Sequence, residues 1–307
     1  MSGMRSLLDL TPDELSAWLA EQGEPGYRAR QIEAWLARGV LDPTAMTDLP
    51  KRLRAQLKAE FSPPLRRVAR SDASDGVRKY AFELQTGANA GRRIEAVWIP
   101  ERDRGTVCVS TQVGCVYRCP FCHTGTLGFG GNLRASEIIA QVLHIKRDLV
   151  EDPPERPWRG EVTHVVFMGM GEPLANFEAV CRSIAWLLEK LRISRRRITV
   201  STSGLVPQIR RLGERVPVNL AISLHAATDA LRNELVPVNR TWPLARLRAA
   251  LDAFPLGKQR HITLEYVLLD GINDRDEDIE ALIAFANSER ERVNLIPFNP
   301  WPGAPYA

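Results

Sequence analysis

The chain has 307 residues, 44% of them apolar and 25% charged, with a net charge of +4. That composition is ordinary for a soluble globular protein, and no stretch approaches the length of a membrane span. The opening MSGMRSLLDL lacks the apolar run of a signal peptide, so a cytoplasmic protein with reduced thiols is expected. Five cysteines in that setting exclude a disulfide framework and point to metal or redox chemistry.

Residues 9 to 60 carry helical periodicity. DLTPDELSAWLAEQG opens with Thr11 as N-cap, Pro12 at the first helical position and Glu14 completing a capping box. YRARQIEAWLARG and LPKRLRAQLKAEF repeat the pattern, and the first stops on Gly39. VRKYAFEL and RRIEAVWIP then alternate like the strands of a short hairpin joined by QTGANAG. From residue 104 onward, short apolar runs alternate with amphipathic segments at 134–149, 176–191, 205–214, 229–255 and 274–288. The runs are TVCVSTQ, VTHVVFMG, RITVSTS, VNLAISLH, HITLEYVLL and RVNLIPFN. Six such alternations predict an α/β fold with a parallel sheet, as an open sheet or a partial barrel. DPPERPW, 152–158, reads as a surface loop. Three regions result: a helical module over 1–62, a hairpin linker over 63–103 and an α/β core over 104–307.

Charge is unevenly placed. Residues 51–79 hold nine Lys and Arg against three acids, and RISRRR covers 192–197. Such runs suit a phosphate backbone, although a solvated surface is the ordinary reading of each one alone.

Polar motifs follow the strands: GEP after VVFMGM, STSG after RITV, SLH after NLAI and NPWPG after NLIPF. In parallel α/β folds ligands bind at the C-terminal strand ends, so these motifs imply one shared site. Cys115, Cys119 and Cys122 stand as C-x3-C-x2-C after the first run. Structural zinc takes four closed ligands. The only candidates for a fourth are His123, adjacent to Cys122 and badly placed to turn to the same ion, and Cys108, inside the strand. A cuboidal iron–sulfur cluster held by three thiolates would keep one iron open for a substrate or cofactor.

C-x3-C-x2-C with Phe121 before the last cysteine resembles the radical S-adenosylmethionine (SAM) superfamily. CVSTQVGC, CHTGTLGFGGNL, VVFMGMGEPLAN, STSGLVPQI, AISLHAATDALRNELVPVNR, ITLEYVLLDGIND and VNLIPFNPWPGAPY together resemble the bacterial RlmN family, and LLDLTPDELSAWLAEQGEPGYRARQI resembles its N-terminal module. The resemblance implies a partial (β/α)6 radical-SAM barrel carrying a small N-terminal helical domain for RNA docking. It also implies a methyltransferase acting at C2 of an adenine in 23S rRNA and in tRNA, with a [4Fe-4S] cluster and SAM as cofactors. An electron donor of reductase or flavodoxin type, no membrane and a monomer complete the expectation.

Carried over residue by residue, the resemblance makes Cys115, Cys119 and Cys122 the cluster ligands. Gly171 and Glu172 meet the SAM amino group, and Ser201, Ser223, Leu224, His225 and Asn299 line the SAM site. Glu95 matches a proton acceptor, for which an exposed hairpin glutamate is the ordinary reading. Cys108 matches the thiol that releases the methylated product, for which a buried strand cysteine is the ordinary one. His123, His144, His164 and His261 are expected to be structural or surface residues. The family's chemistry is a relay: one SAM methylates a C-terminal cysteine, the radical from a second takes hydrogen from that methyl, and the carbon radical adds to C2. The family continues past the motif NPWPGAPYA with a segment carrying that cysteine. Cys181 lies on an apolar helical stripe and reads as core, not as its replacement. If the chain is complete, methyl transfer by the relay is expected to fail. Two other readings stay open: a radical-SAM protein that cleaves SAM without methylating, and a nucleic-acid-binding protein with structural zinc.

Overall fold

A computed structural model describes residues 5–155, 160–257 and 260–307. In chain order it contains α1 (Pro12–Glu21), α2 (Tyr27–Ala37), α3 (Lys51–Glu60), β1 (Leu65–Asp72), β2 (Arg78–Leu84), β3 (Arg93–Glu101), β4 (Arg104–Cys108) and β5 (Gln112–Gly114). There follow α4 (His123–Thr126), β6 (Phe129–Asn132), α5 (Ala135–Glu151), β7 (His164–Phe167), α6 (Phe177–Lys190), β8 (Ile198–Thr202) and α7 (Val206–Arg215). The last elements are β9 (Asn219–Ser223), α8 (Asp229–Leu235), α9 (Leu244–Asp252), β10 (Ile262–Leu268), α10 (Asp276–Phe285) and β11 (Glu291–Pro297). The loop expected at 152–158 is non-helical where described, and residues 156–158 lie outside the described residues.

The chain divides into two units. The first comprises the residues up to Ser110, Leu133–Val165 and Arg182–Ile193. Its α1 starts as its sequence requires: Thr11 Oγ1 accepts the Glu14 N–H at 3.2 Å and Glu14 Oε2 accepts the Thr11 N–H at 2.8 Å. Leu15, Leu19, Ile32, Leu36, Leu53 and Leu57 form the buried stripes of its helices. The expected hairpin is present as β2 and β3, antiparallel from Arg78↔Trp98 to Glu83↔Arg93, with Tyr80, Phe82, Ile94 and Trp98 buried. Two further antiparallel partners extend it. β4 pairs with β3, and β1 pairs with β2 over Leu65↔Leu84 to Asp72↔Arg78. β1 escapes a hydropathy reading because LRRVARSD is mostly polar and buries little beyond Leu65.

The basic stretch 51–79 is largely consumed inside this unit. Asp148 of α5 is 5% exposed and accepts hydrogen bonds from Tyr80 Oη (2.8 Å), Arg70 (3.0 Å), Arg78 (3.5 Å) and Arg67. Arg70 also meets Asp72 and Asp152, Arg66 pairs with Glu83, and Lys79 pairs with Glu95. A cationic run in the sequence is thus an ion-pair network in the fold. Burial alone would raise the Asp148 carboxyl, but the Tyr80 hydroxyl and Arg67 outweigh it and hold it below its ordinary value.

The second unit comprises Thr111–Asn132, Val166–Cys181 and Ser194–Ala307. β8, β9, β10 and β11 pair in parallel in that order, with Ser201↔Ala221, Glu265↔Ser223 and Glu265↔Asn294 in register. Val200, Leu220, Ile222, Leu264 and Tyr266 are fully buried between the sheet and its helices. The amphipathic stretch expected over 229–255 is broken into α8 and α9 at Pro237 and Pro243, where a missing N–H prevents continuation. β5 and β6 form a separate small ladder, Gln112↔Asn132 to Gly114↔Phe129, that encloses the cysteine loop. Among the described residues no helix is long and apolar enough to cross a membrane.

Asp148→Asn removes the charge shared by three arginines and leaves Arg78 buried without it. A loss of about 3 kcal/mol is expected in urea denaturation at pH 7. Because the native carboxyl is held low, the network's contribution is complete above about pH 4 and is lost as pH falls through the native value. The Asn variant should therefore lose part of the native protein's acid sensitivity.

Candidate functional site

The site is built from the cysteine loop. Gly114 ends β5 at φ +69°, and a Cβ there would stand 1.7 Å from the Gly128 carbonyl, so only glycine fits. The Cys115 N–H bonds to that same carbonyl at 3.0 Å. The Cys122 N–H returns to the Cys119 carbonyl at 3.1 Å, and Cys122 leads directly into the short α4. Cys115, Cys119 and Cys122 are half-buried free thiols facing one cavity of about 290 Å³. Its remaining wall is supplied by the strand-end motifs: Gly171 and Glu172 after β7, Ser201–Ser203 at the end of β8, Ser223 and His225 at the end of β9, Glu265 of β10 and Ile296 of β11. Three of the four strand-end motifs, GEP, STSG and SLH, thus meet at one cavity, while NPWPG supplies none of its lining.

Glu172 is 3% exposed, and its carboxylate is held on both oxygens. Oε1 accepts the Leu174 N–H at 2.9 Å, and Oε2 accepts both the N–H and the hydroxyl of Ser203 at 2.8 Å. Burial pushes the carboxyl up, against backbone donors that pull it down. Gly171 has φ +103°, and a Cβ there would come within 2.6 Å of the Gln112 side chain. The Gly-Glu-Pro turn does start a helical segment, as any N-cap would, while also aiming a buried carboxylate at the cavity.

His225 takes the left-handed conformation at φ +57°, rare outside glycine. Its Nδ1 accepts the Val267 N–H at 3.0 Å, so the ring proton resides on Nε2. Burial, followed by the Arg232 charge, drives its pKa down to about 3, so the ring is neutral and serves as a donor rather than an acid–base group. Phe121, the aromatic of the cysteine motif, packs edge-on against it at 4.7 Å. Ser201 and Ser223 bring their hydroxyls to 3.4 Å of each other. Leu224 is fully buried and does not line the cavity; its N–H bonds to the Glu265 carbonyl. Asn299 is exposed and likewise outside the lining, whereas Trp301 of the same motif donates to the Phe121 carbonyl at 3.3 Å and packs on His123. Glu95 and Cys108 belong to the first unit: Glu95 is exposed and paired with Lys79 at 2.8 Å, and Cys108 stands opposite Val97 in the β3–β4 ladder. Cys181 is buried in α6.

Three residues in or behind the cavity wall carry signals too small for the sequence alone. Arg232, fully buried, donates to the carbonyls of Ser203 (2.7 Å), Ser223 (3.3 Å) and Leu224 (3.1 Å) and to Asn239 Oδ1 (2.8 Å). It ties the STSG and SLH motifs together, yet in sequence it is one arginine among many. Glu265 faces the cavity, accepts from Asn294 at 2.6 Å and is pushed up by burial. Gln112, in STQVGC, is buried beneath both the cysteine and Gly-Glu-Pro loops.

The thiols fit a multinuclear cluster. Burial pushes Cys115 up to about 11, and Cys119 is driven further by burial and by its neighbours Cys122 and Cys115. Thiolates this close repel one another in a low-dielectric site and require positive charge between them. Among the described residues, no group of three or more His, Cys, Asp or Glu could hold a single metal ion. A bound iron–sulfur cluster would supply that positive charge to the three thiolates.

Comparison with known proteins agrees with this geometry. Residues 109–286 match the Radical SAM superfamily, and residues 5–62 match the ribosomal RNA large subunit methyltransferase N-terminal domain. The dual-specificity RNA methyltransferase RlmN of Syntrophobacter fumaroxidans is 47% identical over 96% of this chain and 84% of its own length. Its namesake from Geobacter sulfurreducens is 44% identical over the whole chain and 82% of its length. The crystal structure of a radical SAM methyltransferase from Sphaerobacter thermophilus superposes with a TM-score of 0.89 at 44% identity, covering 98% of this chain and 87% of that one. With an α/β fold, a three-thiol cavity at its strand ends and these relatives, the chain belongs to the RlmN family of radical SAM RNA methyltransferases, whose cofactors are a [4Fe-4S] cluster and SAM.

Proposed function

We propose that this chain methylates C2 of an adenine in 23S rRNA and in tRNA, and that the cavity joining three thiols to the Gly-Glu-Pro carboxylate is its SAM site. The observation that carries this is the convergence of Cys115, Cys119, Cys122 and Glu172 on one cavity at the strand ends. Cys115, Cys119 and Cys122 would hold the [4Fe-4S] cluster, with SAM taken up beside it in the same cavity. When bound, cluster and SAM together supply a carbon-centred radical, the chemistry needed because adenine C2 is not nucleophilic.

The protein's own groups have distinct tasks. Glu172 offers a carboxylate to the N–H groups of the SAM amino group while its bonds to Leu174 and Ser203 fix its orientation. Gly171 lets backbone approach, and Ser201, Ser223 and the Nε2–H of neutral His225 supply polar contacts along the wall. Leu224 acts through its backbone, which Arg232 and Glu265 hold in place, and Asn299 is assigned to SAM by its motif alone. Glu95 serves as proton acceptor and Cys108 releases the methylated product. The helical module over 1–62 docks structured RNA mainly by shape. RISRRR is exposed at the start of β8, the end of the strand opposite Ser201, so it contributes charge away from the cavity. A cytoplasmic monomer served by a reductase or flavodoxin-type donor completes the proposal.

Anaerobic reconstitution should give about four irons and four sulfides per chain, and reduction with SAM should yield 5′-deoxyadenosine. Cys119→Ala should lose that product and most of the iron. One tightly held zinc and no SAM cleavage would overturn the proposal. Glu172→Gln should keep the iron but weaken SAM binding about tenfold or more by equilibrium dialysis, since a charge-assisted contact is removed.

A further inference from the structure

Gln112 touches three segments of the second unit with one side chain. It is 1% exposed. Its Oε1 accepts two backbone N–H groups, from Val116 at 3.2 Å and from Glu172 at 3.0 Å, while its Nε2 donates to Asn132 Oδ1 at 2.8 Å. Val116 follows Cys115 directly, and Glu172 carries the cavity's buried carboxylate. The contact is reinforced by the backbone: the N–H groups of Thr111 and Gln112 both reach the Met170 carbonyl, at 2.8 and 3.2 Å. It is reinforced again by packing, since Cβ and Cγ of Gln112 occupy the space into which any side chain at position 171 would grow, at 2.6 and 2.7 Å.

The geometry points to Gln112 as a positioning residue that couples the cluster-bearing loop to the Gly-Glu-Pro loop and so sets where SAM's amino group meets its acceptor relative to the open iron. This rests on the SAM site proposed above. One carbonyl oxygen bonded to both loops keeps their backbones within two hydrogen-bond lengths of each other. A shift of the cysteine loop is therefore transmitted to Glu172. A ligand whose amino group must meet both the cluster and the Glu172 carboxylate would need both loops in place at once. An apolar side chain of equal length would fill the volume but leave the buried Glu172 N–H and the Val116 N–H without this acceptor and the loops free to separate. A carboxyl at this position would still present an oxygen to both.

The test uses the full chain, reconstituted anaerobically and reduced, with SAM titrated while the cluster's EPR spectrum is recorded. The native sequence is compared with Gln112→Met and Gln112→Glu, alongside iron content and thermal melting. Gln112→Met is expected to retain its iron while the SAM-induced spectral change requires at least about tenfold more SAM. Gln112→Glu is expected to return towards native behaviour. A Met variant that responds to SAM as the native chain does overturns the assignment. So does parallel loss of iron and fold in both variants, which would make Gln112 a core residue only. A native chain that holds no cluster, or whose cluster ignores SAM, overturns the proposed SAM site instead.

Discussion

Like charges gathered in a small buried space are the constraint on which this structure turns. Three thiols and the Glu172 carboxyl share one cavity; burial disfavours the anions of Cys115, Cys119 and Glu172, and the two cysteines also feel the charges around them. The chain answers the carboxylate with N–H and hydroxyl donors from Leu174 and Ser203. It answers part of the remaining field with Arg232, a buried guanidinium bonded only to neutral oxygens among the hydrogen bonds described above. Cys115 and Cys119 have no protein donors sufficient to keep them low, and a bound metal cluster would supply that compensation. Binding the cluster thus completes an electrostatic arrangement that the polypeptide begins.

Parallel strand pairing explains why those groups meet. Because β8 to β11 run in one direction, their C-terminal ends lie along one edge, and any polar residue placed just past a strand is delivered there. The short-range motifs were legible for this reason: C-x3-C-x2-C, Gly-Glu-Pro, STSG and SLH each occupy a strand end in sequence and the same cavity in space. Leu224 and Asn299 show the limit of that reading, since being adjacent to a motif does not decide which way a side chain points. Gln112, Arg232 and Glu265 were invisible for a different reason. Their importance lies in hydrogen bonds to backbone atoms of distant segments, and no local pattern records such bonds.

Charge was misleading where hydropathy was not. The helical capping box at Thr11, the β2–β3 hairpin and most of the later elements follow from spacing alone. The polar strand β1 does not, because its arginines find their partners on α5, nearly eighty residues away. A run that in sequence looks available to a polyanion is tied to Asp148, Asp152 and Asp72.

That network also bears on how RNA is held. A cation already satisfied by a carboxylate must give up that partner before it can replace the counterions condensed on a phosphate backbone. Binding enthalpy aside, the entropy of counterion release that dominates many protein–RNA associations scales with the cations left unpaired, not with the 41 lysines and arginines in the chain. Arg67, Arg70 and Arg78 therefore add little to that salt-dependent part of binding, and phosphate contacts fall to cations outside this network.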